Sequence, residues 1–199
     1  AASDVYKRQL LRHPSRCVDL ENQLLDAGVE YVTYGFESYL RRPEVLFVRG
    51  VLGCALDMLD LVESEDIRKQ IIYSMMLFAG VSIRTSMEGI DDASIAKEWE
   101  TVARLATGRT FSQQTLPSLL EKISPRARGA ITQAMTIARS NQVSDLAAAI
   151  SALDVAWFSS RVLVNSSDVD AAEEAVQGLV SAGREFDSIE SFLRGTSAR

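Results

Sequence analysis

Apolar positions recur at helical spacing along nearly the whole chain. The densest run is Pro43 to Ile83, two apolar segments joined near Ser64. Ile71 to Ile83 carries no charge, and on a helical wheel its apolar side chains cover the full circumference. A helix that is apolar all round is a buried one. The run is also well short of the roughly 20 residues that a membrane crossing needs. The pattern predicts a central helix at about 65–87, with Ser64 as its cap and Gly89 just past its end. Glu65 and Asp66 suit the positive end of that helix.

The flanking elements follow from the same periodicity. Ser15 can cap a helix over 16–41, where Val18, Leu25, Val32 and Tyr39 recur every seven residues. Gly28 and Gly35 weaken it, and Val29 to Phe36 also favours a strand. Pro43 opens the next helix, whose apolar face is Phe47, Val51, Cys54, Met58 and Leu61. Its narrow polar stripe, Arg49, Gly53, Asp57 and Asp60, is expected to be wet. Asp91 or Asp92 starts a helix with the stripe Ile95, Trp99, Val102, Ala103 and Ala106. Residues 107–115 are polar and read as the longest internal linker, a possible subdomain joint.

Beyond it, short helices are expected over 117–123 and from Ser124-Pro125. Another runs from Ser144 to about Arg161, and a further one opens at Ser167 with a capping box to Asp170. Phe186, Ile189 and Leu193 mark the last. No period of 20 to 50 residues repeats. The prediction is all-α: a compact bundle of seven or eight helices around the buried helix at 65–87, as a single domain over 15–195.

Composition agrees with an ordinary globular chain: 47% hydrophobic and 24% charged residues. The net charge of −6 disfavours a nucleic-acid or anionic-membrane partner, which needs a positive face. Cys17 and Cys54 sit among apolar residues at a spacing that fits no zinc or redox motif. They read as buried thiols of a soluble protein in a reducing, cytoplasmic setting.

Asp4 to Gln9 resembles the in-frame translation of a transposon-end adapter used in DNA library preparation. That resemblance implies that residues 1–9 are foreign and that the chain is a fragment. Arg8 and His13 are spaced as in the R-x4-H pattern of helical HEPN-type ribonucleases, which would imply metal-independent RNA cleavage. Arg8, however, lies within the adapter-like stretch, and Pro14 pushes His13 out of the helical region. His13 is therefore read as a turn residue.

The most suggestive chemistry is the pair Asp57 and Asp60. At i, i+3 on one helix both carboxylates point the same way. Asp91 and Asp92 add a second acidic pair. Acidic clusters of this kind resemble those of magnesium-dependent isoprenoid synthases, which would imply a metal held by Asp57 and Asp60. Other sets are weaker. Arg126, Arg128, Arg139 and Lys122 form at most a small basic patch, and Gly50 to Gly53 lacks the rest of a phosphate loop. The sequence shows no catalytic set and calls for no cofactor.

The leading expectation is a non-enzymatic helical module that binds a protein partner or forms a homo-oligomer. Two alternatives are carried with it: a metal-dependent helical enzyme using Asp57 and Asp60, and a small-molecule-binding regulatory domain lined by Met75, Met76, Phe78 and Trp99.

Overall fold

A computed structural model describes residues 17–29, 38–62, 64–79, 101, 104–163 and 166–197. The described residues form an all-α bundle, with no β-strand among them; one isolated antiparallel bridge joins Gln142 and Ser188. None of the described helices is long and apolar enough to cross a membrane. The adapter-like segment, His13, Gly35, and the stretch from residue 80 to residue 100 with Asp91, Asp92 and Trp99 lie outside the described residues.

The first expected helix is shorter than its heptad stripe implied. Helix α1 is Cys17–Asp26. Gly28 then adopts φ 65°, which glycine reaches at no steric cost. Its N–H donates to Leu25 O at 3.0 Å, and Val29 N–H donates to Leu24 O at 2.9 Å. These two bonds make a Schellman end, so the helix cannot run through. Tyr39–Arg41 forms a separate 3-10 turn. A buried polar knot ties α1 to that turn. Glu21 accepts from Ser38 Oγ and from Tyr39 N–H, and Tyr39 OH donates to Asn22 Oδ1. Asn22 in turn donates to Gly178 O at 3.0 Å.

Helix α2 (Pro43–Ala55) is the most enclosed element described: Glu44 through Cys54 are all buried. Helix α4 (Glu65–Ala79) packs beside it but keeps a wet side, with Leu77 39% exposed. Among the described residues α2 is thus the more enclosed helix, with α4 packed against it. Arg49 departs from the expected wet stripe. It is buried, donating to Leu40 O and to Ser197 Oγ, each at 3.2 Å. A guanidinium with five donors can be housed inside when carbonyls and hydroxyls surround it.

Gly50 is where the two apolar segments meet. A Cβ there would stand 2.5 Å from Met75 Sδ and 2.7 Å from Ile71 Cγ2. Its missing side chain lets α4 approach. Phe47, fully buried, is the aromatic hub: it stacks on Phe78 at 5.2 Å and meets Phe158 edge-on at 5.0 Å. Such pairs add to the stabilisation from burial alone.

The second half wraps around α2. Helix α3 is Leu59–Val62, α5 is Gly108–Thr110, and Phe111–Thr115 makes a π turn leading into α6, Leu116–Leu120. The stretch expected as a polar linker is thus helical, and Phe111 within it is fully buried. Helix α7 (Pro125–Ala138) has Ser124 as its cap, accepting from Ala127 N–H at 3.2 Å. The helix expected from Ser144 to Arg161 is two: α8 (Leu146–Leu153) and α9 (Val155–Val162), separated by Asp154 at φ 50°. Helices α10 (Ser166–Gly183) and α11 (Ile189–Ser197) close the bundle. Asn141, at φ 57°, caps α11 by accepting from Glu190 N–H at 2.8 Å. One apolar cluster runs from Val18 to Leu193 across both halves.

Candidate functional site

Asp57 and Asp60 are not stacked on one helix. Helix α2 ends in a Schellman motif: Asp57 N–H donates to Cys54 O, and Met58 N–H donates to Gly53 O at 2.8 Å. Asp57 holds the left-handed position, at φ 56°. Glycine is the usual occupant there, and aspartate is one of the few other residues that tolerate it. Asp60 lies in the first turn of α3.

Both carboxylates reach the same target. Asp60 accepts from Gly108 N–H at 2.5 Å and from Arg109 N–H at 2.7 Å, so it caps α5 from outside. Asp57 accepts from Ser112 Oγ at 2.7 Å and from Gln113 Nε2 at 2.8 Å. Arg109 Nε stands 3.6 Å from Asp57, and Arg68 Nε stands 3.8 Å from Asp60. Arg68 also donates to Ala106 O at 3.0 Å. All four carboxylate oxygens therefore already accept from protein donors, and a cation bound here would have to displace them. Among the described residues no group of three or more His, Cys, Asp or Glu is placed to hold a metal ion. The arrangement fastens 108–113 to the end of α2, and Gly108 fits against Asp60 N at a distance that leaves no room for a Cβ.

Met75 and Met76 point into the core. They line a void of about 10 Å³ together with Phe111, Leu116 and Ile131, room for no more than one water. Phe78 is fully buried against Phe47. Burial pushes the Cys54 thiol far above its ordinary range, and the nearby Asp57 charge adds to the shift. Such a thiol is neither nucleophile nor metal ligand.

Two arginines meet at Trp157. Arg126 pairs with Asp154 at 2.8 Å and lies over the Trp157 ring at 4.4 Å, while Arg161 approaches the same ring at 4.8 Å. Past the break at Asp154, Trp157 is half-buried, edge-on to Phe158 at 4.8 Å and packed against the apolar cluster.

Sequence reasoning missed an open groove of about 320 Å³ between α8, the start of α9 and α10. Its floor is Ile150, Val155 and Val176, all nearly buried. One wall is Ala147, Ile150 and Ser151 of α8, with Asp154 just past its end; the other is the α10 stripe Glu173, Val176, Gln177 and Val180. The α10 stripe follows i, i+3, i+4, i+7 and is about 10 Å long, while the α8 residues follow i, i+3, i+4. The groove stays unfilled because the α8 rim residues, Ala147 and Ser151, are small. A run of alanines signals this in the sequence, but the break at Asp154, which starts α9 with Val155 in the groove lining, does not show there.

No family model, no curated protein and no solved structure matches the chain.

Proposed function

We propose that the protein is a helical interaction module that docks a further helix in the groove between α8 and α10. The observation that carries this reading is the pairing of the two walls. Helix α8 presents Ala147, Ile150 and Ser151 at i, i+3, i+4, and α10 presents Glu173, Val176, Gln177 and Val180 at i, i+3, i+4, i+7, to a shared apolar floor. Ridges spaced in that way are what a third helix packs between. Helix-in-groove recognition uses anchors at i, i+3, i+4 and i+7 on the incoming segment. The two turns of wall match the span of those anchors. The kink at Asp154 fixes the floor within the folded core, so the seat is present before anything binds.

The test is selection from a displayed library of helical peptides, with counter-selection against Ser151→Trp. Ser151 is exposed on the rim, and an indole there would fill the groove without entering the core. Peptides that bind the parent and lose binding to the variant are expected. A library yielding no binder, or only binders indifferent to Ser151→Trp, overturns the reading.

A further inference from the structure

The groove is one-signed. Its ionisable lining residues are Asp154 and Glu173, both carboxylates, with no lysine or arginine among the lining. Arg126, which pairs with Asp154, is also held over the Trp157 ring, so that cation is engaged at the outer edge of the rim. Glu173 has no ionic partner among the described residues. Its helix carries Asp168, Asp170 and Glu174 as well, all exposed, and no basic residue between Ser166 and Gly183. The helix dipole accounts for Asp168 in the first turn, but its effect fades within that turn. Glu173 lies about two turns in, where the dipole gives no reason for a carboxylate.

Resting on the docking reading above, we propose that the occupant is a basic amphipathic helix of a partner protein. Its aliphatic side chains, spaced i and i+3 or i+4, enter over Ile150, Val155 and Val176. Lysines or arginines flanking that stripe meet Glu173 and the exposed side of Asp154. Small residues at Ala147, Ser151 and Ala156 let the incoming backbone come close. A second copy of the chain is the poorer occupant. The net charge is −6, and seating one α10 against another would oppose like charges. Complementary charge, by contrast, steers the encounter and sets the register.

The experiment uses the full chain and three labelled helical peptides of about 15 residues, followed by fluorescence anisotropy. All share one leucine stripe; the polar faces are lysine, glutamate or glutamine. The lysine peptide is expected to bind best, and to weaken as added salt screens the pair. Glu173→Lys should weaken it by roughly three- to tenfold and improve the glutamate peptide. Ser151→Trp should abolish binding of all three, and Ala147→Trp repeats that block from the other end of the groove. These substitutions replace exposed side chains, and unchanged thermal melts verify that the variants are folded.

Lysine-peptide binding that ignores Glu173→Lys overturns the basic occupant. So does a stronger glutamate peptide, or a dimer in sedimentation that Ser151→Trp dissolves. In both of the latter cases the groove still docks a helix and only its charge preference falls. If no peptide and no dimer responds to Ser151→Trp, the docking reading falls and the basic occupant with it.

Discussion

Alanine in place of glycine should act with opposite signs at two helix-interior positions, Gly50 in α2 and Gly129 in α7. In a helix interior the exchange is worth about 0.5–1 kcal/mol in alanine's favour, because glycine loses more backbone freedom on folding. At Gly129 nothing stands within 4 Å of the new Cβ, so Gly129→Ala should gain that amount in full. At Gly50 the new carbon would stand 2.5 Å from Met75 Sδ and 2.7 Å from Ile71 Cγ2. Favourable contact lies at about 3.5–4.0 Å, so both neighbours would have to retreat by roughly 1 Å. Met75 can bend, but Ile71 is stiff at χ1 and fully buried. Overpacking of this kind costs about 1–3 kcal/mol, which outweighs the helix gain. Gly50→Ala should therefore be destabilised by about 1–2 kcal/mol. Urea unfolding followed by circular dichroism measures both variants, with an unchanged m-value showing that only stability has moved. A Gly50→Ala protein as stable as the parent would refute the close α2–α4 contact.

Three further outcomes are expected. Asp60→Ala should cost about 1–2 kcal/mol, since Gly108 and Arg109 N–H groups lose their cap; hydrogen exchange should show the loss concentrated at 108–115. Ser159 Oγ is buried with no hydrogen-bond partner among the described residues, so Ser159→Ala should stabilise by about 1 kcal/mol in the same urea assay. In a Cys17→Ser background, Cys54 should ignore a thiol-titrating reagent across the neutral pH range and react only as the chain unfolds, because burial disfavours its thiolate.

The fold class was legible because helical period and caps agreed along most of the chain. Ser64, Ser124 and the Pro43 helix start lie where composition places them. What escaped was set by tertiary contact. The polar stripe of α2 reads as a wet face, yet Arg49 is inside because Leu40 O, in the turn before the helix, and Ser197 Oγ, far off in sequence, supply acceptors. Residues 107–115 read as a linker because their helical start is capped by one carboxylate, Asp60, about 50 positions earlier, beyond the reach of local capping rules. The heptad stripe over 16–41 concealed the left-handed turn at Gly28, and the Leu146 to Trp157 stripe concealed the one at Asp154. In each case side-chain periodicity continued across a backbone break. The same break at Asp154 creates the groove, so the surface proposed for binding was hidden with it. Asp57 and Asp60 stood out as residues without showing their setting: spacing alone does not reveal that backbone and side-chain donors fill their oxygens.

Residue-resolved amide hydrogen exchange along α2 tests the central claim most directly. If this helix is the enclosed axis of the bundle, the amides of Phe47 to Cys54 should be the slowest in the chain. They should exchange only through global unfolding, with a free energy equal to that from urea. Exchange of those amides at the rate of the exposed face of α10, well below the global value, would contradict it.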